Sequence, residues 1–239
     1  MFFDGVGGRV HYRIWPVHNP RAVVVFLHGL RQQSADYHRF GRALGRRDIE
    51  VWALDHPGHG LSEGDPDTLA PITDLAANAR LLVARARSAH PEPLALMGHS
   101  LGAGAGVIAL QSNTEEMQSL SATILCGTPR DVATRNIDIP NLPTLLLHGD
   151  DDRIAPIEPI REWARARGNI DMREFAGAGH DLLHEQRHGD ATEAVINFVL
   201  DTTRSAIGAG GATEVDREYE DPEWAGRQLG NTAAVARGH

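Results

Sequence analysis

The segment Leu94-Ala95-Leu96-Met97-Gly98-His99-Ser100-Leu101-Gly102-Ala103-Gly104-Ala105 passes from a short apolar run into a run of small residues through one serine. Leu94 to Met97 reads as a buried strand, and Leu101 to Gln111 is small and apolar enough to be a buried helix. Between them, Gly98-His99-Ser100-Leu101-Gly102 fits the pattern G-x-S-x-G. A chain that turns this sharply from strand to helix forces the serine into a strained conformation, and small neighbours let the backbone pass close by. The expected product is an exposed hydroxyl at a helix N-terminus.

On either side of this segment, apolar runs alternate with helical ones. Arg9 to Trp15 reads as a strand, with a hairpin back to Phe2-Phe3 signalled by Asp4-Gly5 and Gly7-Gly8. Ala22 to Leu27 is a β-branched run of the kind buried on both faces. Ala35 to Arg46 reads as a helix, and Glu50 to Leu54 as a strand ending at Asp55. A loop rich in Gly, Pro and Asp follows, from His56 to about Thr68. Pro71 opens a helix whose apolar face, from Ile72 to Ala86, persists to about Ser88. Ala122 to Cys126 and Thr144 to Leu147 are two further buried strands. Pro156 to Arg167 reads as a helix, Ile170 to Phe175 as a strand and Ala191 to Thr203 as the last helix. This alternation predicts an α/β fold: a mostly parallel, doubly wound central sheet with helices on both faces. Residues 1–204 form the expected domain. From Ser205 the composition turns to Gly, Ala, Asp, Glu and Arg, so 205–239 reads as a polar, mobile tail.

Composition narrows the function. The chain has 239 residues, 41% hydrophobic and 23% charged, with a formal charge of −9. That acidity disfavours nucleic acid as a partner. No stretch is long and apolar enough for an integral membrane segment. MFFDGVGGRV lacks the layout of a secretory signal, so a cytoplasmic location is expected. Cys126 is the single cysteine, which excludes an intrachain disulfide and a cysteine-built zinc site. All 23 basic residues are arginine, so a catalytic lysine and a phosphate-binding G-x-x-x-x-G-K-[ST] loop are excluded too. The 13 histidines are scattered, and no metal or cofactor is implied.

A serine hydroxyl is a poor nucleophile without a base, and the base needs an orienting acid. Behind this kind of turn the chain order is serine, acid, histidine. Two downstream segments fit, each just past a strand's C-terminal end. His148-Gly149-Asp150-Asp151-Asp152-Arg153 offers three neighbouring carboxylates, and Gly177-Ala178-Gly179-His180-Asp181 offers a histidine. Asp131 is a further candidate acid.

Four segments together carry a family resemblance: Leu27-His28-Gly29-Leu30, Asp55-His56-Pro57-Gly58-His59-Gly60-Leu61-Ser62, Gly98 to Gly102, and His180-Asp181-Leu182-Leu183-His184-Glu185. Over residues 9 to 200 the sequence resembles the α/β-hydrolase superfamily, and within it the monoacylglycerol lipase and lysophospholipase-type serine hydrolases. The resemblance implies Ser100 as nucleophile, His180 as general base and then acid, and Asp152, three residues after Gly149, as the acid. It places two oxyanion-binding N–H groups at Leu30 and Leu101. His28, Gly29, His99 and Cys126 are pocket candidates. His28 and His148 are read as loop-holding residues, His56 and His59 as shaping their Gly-rich loop, and Ser62 as a brace.

Members of this group usually carry a cap of several helices between the sixth and seventh strands. Here that interval, Gly127 to Pro143, holds no long apolar-periodic helix, so the cap is expected to be absent or minimal. A cap supplies the apolar wall that holds a long acyl chain and excludes water. The expected substrate is therefore a small-molecule ester of short or medium acyl length, or a bulky ester admitted by an open cleft. Thioester hydrolysis, amide hydrolysis, acyl transfer and a slow ligand-binding role use the same residues.

Overall fold

The computed structural model describes residues 1–210. Among them eight strands form one sheet: β1 (Phe2–Gly5), β2 (Gly8–Trp15), β3 (Ala22–Leu27), β4 (Ile49–Leu54), β5 (Leu94–His99), β6 (Ala122–Cys126), β7 (Thr144–Gly149) and β8 (Ile170–Phe175). Their order across the sheet is β1-β2-β4-β3-β5-β6-β7-β8. The β1–β2 hairpin is antiparallel and joins β4 antiparallel, while every pair from β4 to β8 is parallel.

Alternation along β3 explains why the sheet is covered twice. Val23, Val25 and Leu27 face one cluster with α2 (Ile72–Ala89), α3 (Leu101–Ala109) and α6 (Ile157–Arg165). Val24 and Phe26 face the other, with α1 (His38–Gly45) and α7 (His188–Gly210). All five side chains are fully buried. Each contributes about 1.5–3 kcal/mol relative to an exposed position, so a polar residue on either face of β3 opposes the fold.

Four segments depart from the sequence reading. The expected helix over Ala35–Arg46 begins as a 3-10 turn, Ser34–Tyr37, and becomes α1 only at His38. Two helices too short to show a period also appear, α4 (Glu115–Gln118) and α5 (Arg130–Thr134). The last helix runs from His188 to Gly210, so residues 205–210, expected in the tail, continue it. No proline interrupts that stretch, and an established helix adds one backbone hydrogen bond per residue. The rest of the expected tail lies outside the described residues. No helix among those described is long and apolar enough to cross a membrane.

The interval between β6 and β7 holds only α5, which packs on α6. It is tied to the flank of the sheet. Trp163 Nε1 donates to the Ile137 carbonyl at 3.0 Å, and Gln111 Nε2 to that of Asp138 at 2.7 Å. Asn169 Nδ2 donates to the Leu142 carbonyl at 2.8 Å.

Candidate active site

Parallel strands bring their C-terminal ends to one edge, and α/β sheets place their sites there, where the strand order reverses. In this sheet β3 is followed in sequence by β4 on one side, and the chain then crosses to β5 on the other. The loop after β3 and the turn after β5 therefore lie side by side.

Ser100 occupies that turn with φ 52° and ψ −116°, a left-handed conformation that costs a non-glycine residue about 1–3 kcal/mol. Both flanking glycines are needed for close approach. A Cβ at Gly98 would collide with the Gly102 carbonyl, and one at Gly102 with the Leu27 carbonyl. The turn is clamped by the Ser100 N–H, which donates to the Cys126 carbonyl at 2.9 Å.

His180 arrives on the loop after β8, and Asp152 on the loop after β7. These loops pack so closely that a Cβ at Gly149 would strike the Ala178 and Gly179 carbonyls. Gly127, at φ 55°, lies against the His180 ring. His180 Nε2 is 2.7 Å from Ser100 Oγ, and His180 Nδ1 is 2.7 Å from Asp152 Oδ2. An ionised carboxylate only accepts, so the ring proton sits on Nδ1 and the Nε2 lone pair faces the serine hydroxyl. Asp152 Oδ1 accepts the N–H groups of Ile154 at 2.9 Å and Ala155 at 2.8 Å. Burial pushes the Asp152 pKa up, but the His148, His180 and Ala155 hydrogen bonds outweigh it and hold the carboxyl well below its ordinary range.

The other acidic residues have different partners. Asp150 Oδ1 accepts the Gly177 N–H at 2.7 Å, and Asp151 pairs with Arg153 at 3.4 Å. Asp131 pairs with Arg135 on the exposed surface of α5. Of the neighbouring carboxylates, only Asp152 is buried and meets the histidine.

An open cavity of about 660 Å³ lies over Ser100 and His180. Gly29, Leu30 and His99 line it, as do Gln32, Arg153 and Ile154, which the sequence reading did not select. None of residues 127–143 does. Two pocket candidates are corrected by their surroundings. His28 is fully buried behind its loop, where Nδ1 donates to the Gly29 carbonyl at 2.7 Å and Nε2 accepts the His56 N–H at 2.9 Å. Cys126 points into the core on the α1 and α7 side, and burial raises its thiol pKa out of the reactive range. His99 is also buried, and its Nε2 donates to the His180 carbonyl at 3.1 Å.

The Asp55-to-Ser62 loop is built around one carboxylate. Asp55 Oδ1 accepts the Ser34 N–H, and its Oδ2 accepts the Leu61 N–H at 3.0 Å and His11 Nδ1–H at 2.8 Å. Ser62 Oγ donates to the Asp55 carbonyl and accepts the His11 N–H, which makes it a brace. Among the described residues no group of histidine, cysteine and carboxylates has the arrangement of a metal site.

The family described as serine aminopeptidase, S33, matches residues 18–141, which include the loop after β3, the Asp55 loop and the Ser100 turn. A monoacylglycerol lipase of Mycolicibacterium smegmatis is 40% identical over 105 residues, covering 43% of this chain and 38% of that one. A monoglyceride lipase of Rattus norvegicus is 26% identical over 129 residues, covering 52% of this chain and 43% of the relative. The matched segment thus spans less than half the length of these two relatives. The structure of Est1E from Butyrivibrio proteoclasticus with bound ferulic acid superposes with a TM-score of 0.74 at 17% identity, covering 84% of this chain and 98% of that one. The chain has the α/β-hydrolase fold and belongs to the family described as serine aminopeptidase, S33.

Proposed function

We propose that this protein is a serine hydrolase that cleaves carboxylic esters of short or medium acyl length through an acyl-enzyme. The observation that carries this reading is the continuous chain from Ser100 Oγ through His180 to Asp152, with both hydrogen bonds at 2.7 Å. Ser100 attacks the ester carbonyl while His180 Nε2 takes its proton. The same proton then passes to the leaving alkoxide. Asp152 keeps the ring in the required tautomer and stabilises the imidazolium. Water deacylates Ser100 with His180 again as base.

The oxyanion of each tetrahedral intermediate is bound by the N–H groups of Leu30 and Leu101. Among the described residues neither N–H has an internal acceptor, which leaves both available. Leu101 opens α3, so its donor also carries the positive end of the helix dipole. Leu30 and Ile154, 49% and 75% exposed, supply apolar surface beside the serine without enclosing it. The lipase names of the relatives support an ester as the scissile bond. An aminopeptidase reading needs a free carboxylate for the substrate's ammonium group. Of the cavity's carboxylates, Asp181 is held by His184 and Gln32 and Glu185 by the N–H groups of Gly179 and Asp181, which leaves only Asp151, in an exposed 3.4 Å pair with Arg153, for that role.

The test is turnover of p-nitrophenyl esters of increasing acyl length, with Ser100→Ala as control. Turnover should peak at short or medium chains, and kcat in the variant should fall by roughly 10⁴- to 10⁶-fold, as in serine proteases that lose the nucleophile. Activity that survives in Ser100→Ala, or no turnover on any ester, overturns the reading. A maximum at long chains overturns its acyl-length part.

A further inference from the structure

One side chain that no motif singles out joins three of the four loops that carry the site, those after β3, β5 and β8. Gln32 sits on the loop after β3, two residues beyond Leu30. Its Oε1 accepts the Gly29 N–H at 3.0 Å and the Tyr37 hydroxyl. Its Nε2 donates to Asp181 Oδ2 at 3.2 Å. The two ends fix the amide's orientation, because the Gly29 N–H can only donate and the Asp181 carboxylate only accepts.

The hydroxyl of Tyr37 is also 3.1 Å from His99 Nδ1. His99 Nε2 must carry its ring's proton, since the His180 carbonyl it meets has none to give. Nδ1 is therefore an acceptor, and the single Tyr37 O–H proton is shared between it and Gln32 Oε1, which lie 3.1 Å apart. From Gln32 one path runs through Tyr37 and His99 to the His180 carbonyl, and another runs directly to Asp181. Gly29 admits this arrangement because it lacks a Cβ, which would lie 2.5 Å from Gln32 Oε1 and 2.9 Å from His99 Nδ1.

The consequence falls on the Leu30 N–H. The Gly29–Leu30 peptide is trans, so this N–H points opposite to the Gly29 carbonyl. That carbonyl is held from behind by His28 Nδ1 at 2.7 Å and by the Gln32 N–H at 3.2 Å. The preceding peptide is held by Gln32 Oε1. With both peptide planes fixed, the Leu30 donor faces the cavity before substrate arrives.

We propose that Gln32 is a positioning residue. Its side-chain amide locks the loop that carries the Leu30 oxyanion donor to the Ser100 turn and to the His180 loop, so that oxyanion binding depends on it. The proposal rests on the esterase reading above. A preorganised donor acts on the developing oxyanion and not on the ground-state ester, so its loss is read in kcat and not in KM.

The experiment compares wild type, Gln32→Met, Gln32→Glu and Tyr37→Phe on p-nitrophenyl butyrate and measures inhibition by butylboronic acid, whose serine adduct is tetrahedral and anionic. Methionine matches glutamine in length but makes no such hydrogen bonds, whereas glutamate keeps the acceptor at Oε1 but sets a second carboxylate oxygen against Asp181 in place of the donor. Gln32→Met should lower kcat by about 10- to 100-fold with KM changed less than about threefold, and weaken boronate inhibition by a similar factor. Gln32→Glu should also lose at least about fivefold in kcat, because the tie to the His180 loop becomes a contact between two carboxylates. Tyr37→Phe keeps its ring packed against Phe26 and His184, so it tests the network even if Gln32→Met fails to fold. It should lose about threefold or more in kcat at unchanged KM. Wild-type kcat and boronate affinity in Gln32→Met, a loss confined to KM, wild-type kcat in Gln32→Glu, or wild-type kcat in Tyr37→Phe would each overturn the proposal. A wild type that neither turns over the ester nor binds the boronate instead refutes the esterase reading.

Discussion

The two oxygens of Asp152 are divided between histidines and the backbone: Oδ2 meets His180 Nδ1 at 2.7 Å with His148 Nε2 3.3 Å away, and Oδ1 takes the Ile154 and Ala155 N–H groups. This division makes Asp152→Asn a sharp test. The two backbone donors hold the amide oxygen at the Oδ1 position, which places the NH₂ group against His180. The ring must then turn its Nδ1 lone pair toward the amide and carry its proton on Nε2, facing Ser100. Such a tautomer cannot accept the serine proton. Asp152→Asn is expected to lower kcat by about 10³- to 10⁴-fold while KM stays within a few-fold. Steady-state kinetics with far-UV circular dichroism to verify folding checks this. Retention of more than a tenth of wild-type kcat would refute the assignment of the acid.

How much of this site could be read from the chain depended on whether the evidence was local. The Ser100 turn was legible because strand, glycines and helix are contiguous. The choice among Asp150, Asp151 and Asp152 was not, until a family spacing was applied. Their difference lies in tertiary partners: Gly177 for the first, Arg153 for the second, and a buried position beside His180 for the third. Gln32 carried no signal because its role arises from contacts with His99 and Asp181, 67 and 149 residues away. His28 and Cys126 neighbour site residues in the sequence, but the strand and loop geometry buries both side chains away from the cavity. The 3-10 start of the first helix and the short α4 and α5 are below the length at which hydrophobic period is informative.

Two glycines of α3 should respond to alanine with opposite signs. At Gly102 the new Cβ would collide with the Leu27 carbonyl, which β3 holds rigidly. At Gly106 it would rest 3.8 Å from Leu27 Cδ1 and Leu96 Cδ2, an ordinary contact. Gly102→Ala is expected to destabilise the protein by about 3 kcal/mol or more, a drop in Tm of roughly 10 °C. Gly106→Ala should stabilise it by about 0.5–1 kcal/mol through helix propensity. Urea and thermal denaturation of both variants test the pair, and equal effects would contradict the close approach of α3 to β3.

Ile154 lies 75% exposed, two residues after Asp152, and lines the cavity beside Ser100. Its exposure means that replacement costs the fold little. Contact with a short acyl chain would bury one or two methylene equivalents, at about 0.8 kcal/mol each. Ile154→Ser is therefore expected to raise KM for hexanoate and octanoate esters by about three- to tenfold and to leave acetate esters unchanged. Parallel KM measurements across the series decide this. A uniform change across all chain lengths would remove Ile154 from the acyl path.

Acid should unfold this protein through its buried neutral histidines. Burial lowers the pKa of both His28 and His99 to about 4, outweighing the partial support of the Gly29 and His180 carbonyls, against an ordinary value of 6.5. Above pH 6.5 neither state carries the proton. Between 6.5 and 4 the unfolded chain binds it and the folded chain does not, so stability falls as pH falls. Below about 4 both states are protonated and these two groups cost nothing further. Each is worth on the order of 3 kcal/mol across that window. His184 does not offset the loss. Its hydrogen bond to Asp181 raises its pKa, so its contribution is complete below 6.5 and is lost only as pH rises beyond that. Urea titrations from pH 7 to pH 4 should show unfolding free energy declining steeply through this range. His99→Gln should flatten the decline, since glutamine can still donate to the His180 carbonyl but takes up no proton. A stability profile that stays level over the window, or an undiminished slope in His99→Gln, would show that the ring behind the Ser100 turn does not have to stay neutral for the fold to hold.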